Sequence, residues 1–179
     1  MLKHFSQKDP RWADVTIGTS NLTIKEGGCV VCSIASLLAY YGIETTHAEL
    51  AKKLQFTKDG LIYWRSVTNL YPDVQFHYRL RQEFVIYKPL IEILLEIKNP
   101  VLIEIQPGNY KHWLCILEKK DNKFLIADPL KDDLYVGDLP YPMTGLTIYR
   151  YDWPQIEFDQ LKQKIQNIKV ALNNILNFL

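Results

Sequence analysis

Glu26-Gly27-Gly28-Cys29 runs directly into Val30-Val31-Cys32-Ser33-Ile34-Ala35-Ser36-Leu37-Leu38-Ala39-Tyr40-Tyr41-Gly42, and no other stretch restricts the fold of this chain as much. The glycine pair lets the backbone turn sharply and approach a neighbour closely, and the apolar run beyond it has helical character. The spacing predicts a helix from Cys29 to Tyr41 that stops at Gly42. Cys29 then stands in the first turn, where unpaired N–H groups and the positive end of the helix dipole favour a thiolate. A cysteine so placed is weak evidence alone. It gains weight because a His and an Asp recur downstream in positions that can complete a nucleophilic site.

The chain of 179 residues is long enough for one domain with a sizeable core and short for two. A formal net charge of +1, with Lys and Arg scattered rather than gathered in blocks, argues against electrostatic capture of nucleic acid or of an anionic membrane. No uninterrupted apolar stretch is long enough to span a bilayer, and Met1-Leu2-Lys3-His4-Phe5 carries no apolar core of a secretory signal. Three cysteines make no disulfide framework, so reduced thiols and a cytoplasmic site of synthesis are expected. Later release by lysis, or a place in a virion, would leave no trace in these residues.

No internal repeat, low-complexity tract or Gly/Ser linker interrupts the chain. Gln7-Lys8-Asp9-Pro10-Arg11-Trp12 reads as an ordered loop in which Pro10 sets a turn. A second helix is expected from Thr46, with Thr45 or Thr46 as N-cap and Leu50, Ala51 and Leu54 inward. A third, shorter one is expected over Leu61 to Val67. Val74 to Leu80 alternates as a half-buried strand does, and Pro89 is placed as a first helical residue before Leu90 to Leu95. Short β-like runs follow at Val101 to Ile105, Trp113 to Leu117, Phe124 to Ala127 and Leu146 to Tyr151. Helices mostly early and strands mostly late give an α+β fold, not alternating β-α units. Beyond Pro154, Leu161, Ile165, Ile168, Leu172, Ile175 and Leu179 recur at helical spacing. Residues 154–179 are therefore expected to form an amphipathic helix that packs on its own domain, docks a partner, oligomerises or lies on a membrane surface.

Lys119-Lys120-Asp121-Asn122-Lys123 is a polar turn between two strand-like runs. A hairpin folded near Lys120 to Asn122 brings His112 opposite, or nearly opposite, Asp128. A carboxylate beside an imidazole fixes its tautomer and stabilises the imidazolium, and such a His facing Cys29 makes the thiolate–imidazolium pair of a cysteine hydrolase. Taken singly, His112 reads as a strand-end histidine and Asp128 as a turn residue before Pro129. Their mutual register is what points to chemistry. Two other arrangements compete. Cys29-x-x-Cys32 with His112-x-x-Cys115 offers four zinc-type ligands, but His112 and Cys115 fall on opposite faces of a regular strand, and Cys115 reads as a small core residue. Cys29-x-x-Cys32 also resembles a dithiol redox pair in its helix position, yet Lys25-Glu26-Gly27-Gly28 stands where such a motif has a strand.

Together, Gln7 to Trp12, Gly28-Cys29 opening an apolar helix closed by Tyr40-Tyr41-Gly42, His112-Trp113 and Asp128-Pro129 resemble the papain-like cysteine peptidases of the double-glycine, bacteriocin-processing type. The stand-alone members of bacteria and phages are the closer likeness. It covers roughly Phe5 to Leu130. The resemblance implies a papain-like fold in which N-terminal helices carry the Cys and pack on a C-terminal antiparallel sheet carrying the His and Asp, with residues 1–153 as the peptidase domain. It further implies Cys29 as nucleophile, His112 as general base and acid, Asp128 as orienting residue, and Gln7 as oxyanion donor beside the Cys29 N–H. Without the family, Gln7 reads as an ordinary polar loop residue. Relatives often carry Gly after the Cys and a small polar residue three positions on, where this chain has Val30 and Cys32. Trp12, Trp64 and Trp113 read as core aromatics or as the walls of a cleft.

The expected activity is hydrolysis of peptide or other amide bonds through a Cys-His-Asp triad and an acyl-enzyme, with no metal or organic cofactor. Leader peptides and cell-wall (peptidoglycan) peptides are the expected substrate classes. The alternative is a non-catalytic structural or interaction module, for example of a phage particle, engaged through the 161–179 seam as a homo-oligomer or with an assembly partner.

Overall fold

The computed structural model describes residues 2–81, 87–140 and 142–151, together with Gln163 and Asn167. Four helices come first, α1 (Ile24–Gly27), α2 (Cys29–Tyr40), α3 (His47–Lys53) and α4 (Arg65–Leu70). They are followed by β1 (Val74–Leu80), α5 (Tyr87–Glu96), β2 (Val101–Ile105), β3 (His112–Lys120), β4 (Lys123–Ala127), β5 (Tyr135–Gly137) and β6 (Met143–Tyr151). The strands form one antiparallel sheet in the order β1-β6-β2-β3-β4-β5, which makes the fold α+β. The boundary at 153 and the seam from Leu161 to Leu179 lie outside the described residues.

Alternation along the central strands builds two cores. Trp113, Cys115 and Leu117 of β3 turn to the face covered by α2, whose Ile34, Leu37 and Leu38 are fully buried. Leu114 and Ile116 turn to the other face, against Ile91 and Leu94 of α5. Burying each of these side chains contributes roughly 1.5–3 kcal/mol of transfer free energy. Being apolar on nearly every side, α2 can lie only inside the molecule. It ends as expected, with Gly42 at φ +78° and the Ile43 N–H reaching back 3.0 Å to the Leu38 carbonyl. Beyond it, Thr46 caps α3 by accepting from the Glu49 N–H at 3.1 Å, and Leu50, Ala51 and Leu54 point inward.

Four elements differ from expectation. The short α1 is an added element, formed because Glu26 accepts hydrogen bonds from the Thr23 N–H and hydroxyl, at 3.0 and 2.9 Å. The helix expected over Leu61 to Val67 begins only at Arg65, since Ile62 bridges Phe56 in extended conformation and Leu61 is exposed. Pro89 lies within the first turn of α5 rather than at its first residue. The three-residue β5 forms the far edge of the sheet, outside β4.

Candidate active site

Gly28 separates α1 from α2 and places Cys29 at the first position of α2, half-buried. The helix is fixed against the sheet one turn later, where the Ser33 hydroxyl, buried, donates to the Trp113 carbonyl at 3.1 Å. Ser33 is four residues from Cys29 and so shares its side of the helix, while Trp113 is the neighbour of His112. One side-chain hydrogen bond thus sets the height of the thiol relative to the imidazole.

The β3–β4 hairpin supplies the other half. It turns tightly at Asp121-Asn122, with Asp121 at φ +54°, and Lys120 pairs with Lys123. Leu117 is an extra residue on β3 between the Ile116↔Ile126 and Glu118↔Leu125 pairs. Without that bulge the register would carry Asp128 across from Cys115, on the face opposite His112. With it, the Cys115↔Ala127 pairing carries Asp128 level with Leu114, on the side His112 shares. The His112 Nε2–H accordingly meets Asp128 Oδ1 at 2.6 Å, buried, and the same oxygen accepts from the Leu130 N–H at 3.0 Å.

The Cys29 side chain also acts on the His112 ring, so the imidazole is flanked by the thiol and the carboxylate. With Nε2 taken by Asp128, Nδ1 is the nitrogen left for the thiol. Burial alone would lower the His112 pKa; the bond to Asp128 and the Cys29 side chain outweigh it and push it up to about 9. Asp128 moves the other way. Burial would raise it, but the bonds from His112 and the Leu130 N–H hold it below its ordinary value.

Gln7 is buried where the two halves meet. Its backbone N–H donates to the Pro129 carbonyl at 2.9 Å, and its Nε2 to the Lys25 carbonyl at 3.0 Å. Lys25 is the residue whose carbonyl an unbroken helix would offer to the Cys29 N–H. The Gln7 amide therefore stands against the turn that leads into Cys29, and its second N–H is free of that bond.

The other two cysteines are structural in their surroundings. Cys32 and Cys115 are fully buried, and burial pushes both thiols well up from the ordinary range. Among the described residues no three His, Cys, Asp or Glu side chains group as a metal site requires. Beside His112, Trp113 packs on Trp64 with ring centroids 4.8 Å apart, and the Arg79 guanidinium lies over both rings at 5.5 and 5.0 Å. The buried Glu104 faces this cluster from β2, 3.9 Å from Arg79 and 3.5 Å from Lys111. Sequence reasoning left Ser33, Glu104 and Arg79 unmarked. Ser33 alone carried a signal, as a hydroxyl within an apolar helical run.

Among the described residues no helix is long and apolar enough to cross a membrane. No curated protein matches the chain. A solved structure from Bacillus anthracis, described as that of a C39-like peptidase, superposes with a TM-score of 0.54 at 14% identity, covering 84% of this chain and 96% of that one. At that identity the likeness is one of fold. The profile described as the peptidase C39 family matches residues 21–138, which include Cys29, His112 and Asp128. The chain belongs to the peptidase C39 family and is a cysteine peptidase.

Proposed function

We propose that the peptidase acts through a Cys29–His112–Asp128 triad, and the observation that carries this reading is the imidazole held between the thiol and the carboxylate. His112 Nδ1 takes the Cys29 proton, and the sulfur attacks the scissile carbonyl carbon. The charge that develops on the carbonyl oxygen is met by the remaining Gln7 N–H and by the Cys29 backbone N–H. His112 then gives its proton to the leaving amine as the C–N bond breaks. A water, deprotonated by the same nitrogen, attacks the thioester, releasing the acid and restoring the thiol. Asp128 remains ionised throughout and keeps Nε2 as the protonated nitrogen. With a pKa of about 9, His112 stays protonated through the neutral range, as an imidazolium facing a thiolate must.

The substrates proposed are peptides, either leader segments or cell-wall peptides, both of which present the amide this chemistry needs. The test is the pH dependence of iodoacetamide alkylation, with each cysteine located by mass spectrometry. Cys29 is expected to react rapidly and alone at about pH 6. That rate should fall in His112→Ala, and both Cys29→Ala and His112→Ala should remove peptide hydrolysis without unfolding the chain. Equal, slow labelling of Cys29 with or without His112 would overturn the triad.

A further inference from the structure

His47, the first residue of α3, is 2% exposed, and neither of its ring nitrogens has a hydrogen-bond partner among the described residues. A neutral imidazole always carries one N–H, so burying it without a partner is costly, and burying the doubly protonated cation costs more. The packing around it is aromatic. The Phe5 ring meets it edge-on with centroids 5.6 Å apart, and the Trp12 ring at 6.4 Å and 87°. Both rings belong to the N-terminal segment, and between them lies Gln7 with its bonds to Pro129 and Lys25. The contacts on His47 thus hold down both ends of the segment that delivers Gln7.

The charged groups facing His47 come from that same segment. Asp9 favours a cation on the ring; Arg11 and His4 oppose one. Asp9 is already paired with Arg11 at 2.6 Å, which holds its carboxyl down to about 2, so it remains ionised in mild acid. Burial is the largest influence and pulls His47 below its ordinary value of 6.5. The sign follows. A histidine held neutral in the closed state stabilises that state above about pH 6.5, and this contribution is lost as the pH falls below it.

We propose that His47 is a positioning residue for Gln7: its neutral ring seats Phe5 and Trp12, and its protonation in mild acid unseats the His4-to-Trp12 segment and withdraws Gln7 from the site. The catalytic half of this inference rests on Gln7 being the oxyanion donor. The structural half does not. Peptide hydrolysis, which develops an oxyanion, loses rate on the acid side, whereas alkylation of Cys29 by iodoacetamide, which develops none, is spared that loss.

The experiment is amide hydrogen exchange over residues 5–13, corrected for intrinsic rates, in the full chain at about pH 7.5 and about pH 5. Wild type is expected to lose about tenfold in protection at the Gln7 amide, whose bond to the Pro129 carbonyl holds the segment closed, and at the Trp12 and Ala13 amides, whose bonds to the Asp9 carbonyl keep its turn, while the amides of β3 keep theirs. His47→Phe keeps the aromatic seat without a proton site and is expected to show no such loss. It also separates His47 from His4, which lies in the segment and bonds the Lys131 carbonyl at 2.9 Å. His47→Leu makes the same comparison if the phenylalanine does not fit. Protection that is flat with pH in wild type, or that falls equally in the His47 variants, overturns the proposal. Exchange at these amides involves no Cys29 chemistry, so the latch and the triad fail independently.

Discussion

A Cβ on Gly28 would lie 2.4 Å from the Ile24 carbonyl oxygen and 2.8 Å from the Ile24 Cα, so the residue before Cys29 is glycine for want of space. Its φ of −78° is ordinary, and conformational freedom is not the reason. Relief of that clash has to come from backbone, by moving α1 away from α2 and Cys29 with it. Gly28→Ala is expected to cost about 2–3 kcal/mol in urea unfolding and to slow iodoacetamide labelling of Cys29 in the folded protein. A second prediction at this scale concerns pH. The raised His112 contributes stability that is whole below its ordinary 6.5 and is lost as the pH climbs through about 9. The lowered Asp128 contributes stability that is present above its ordinary 3.8 and lost as the pH falls through its depressed value. Wild type should therefore exceed Asp128→Asn in urea midpoint most between pH 3.8 and 6.5, with the gap closing above about pH 9. A gap that widens on the alkaline side would contradict this coupling.

Ser33 shows how elements, rather than residues, place the thiol beside the imidazole. Its hydroxyl is the buried side-chain bond joining α2 to β3 at the level of the site. Ser33→Ala leaves the Trp113 carbonyl buried without that donor, at about 1–3 kcal/mol, and frees α2 to slide along the strand. Both effects are measurable, as a lower urea midpoint and as a Cys29 labelling rate less dependent on His112. Which elements could be read from sequence follows from how each is specified. The alternation of Val74 to Leu80 and the apolar runs at Val101 and Trp113 are local, and β1, β2 and β3 fall on them. Thr46 and Glu49 announce α3 in the same local way. Thr23 and Glu26 carry the same signal for α1, which lasts a single turn before Gly28. The start of α4 is decided by the bridge from Phe56 to Ile62, and β5 by its place beside β4; neither is a property of its own residues. The bulge at Leu117 is the least legible of all. It decides which face Asp128 takes, yet nothing in Cys115 to Lys120 distinguishes an extra residue from a regular strand.

At the scale of the molecule, the proposed site exists only because three segments distant in sequence meet: the loop at Gln7, the start of α2, and the ends of β3 and β4. The loop touches α1, just before α2, through Lys25 and the chain just after β4 through Pro129, and α2 touches the sheet through Ser33. No one of the three holds the geometry alone, so the site should assemble and dissolve with the fold. The cysteines make this measurable within one experiment. Cys32 on α2 and Cys115 on β3 are fully buried between the helix and the sheet, while Cys29 is only half-buried. Labelling of Cys32 and Cys115 therefore reports opening of the whole helix–sheet interface, and rapid labelling of Cys29 reports the assembled site. Across a urea series, the fast phase at Cys29 should vanish at the same midpoint at which Cys32 and Cys115 begin to react, and both should coincide with loss of far-ultraviolet ellipticity. If Cys29 lost its fast phase well before Cys32 and Cys115 opened, the site would be held by the N-terminal loop alone. The helix–sheet interface would then be a scaffold that outlasts it.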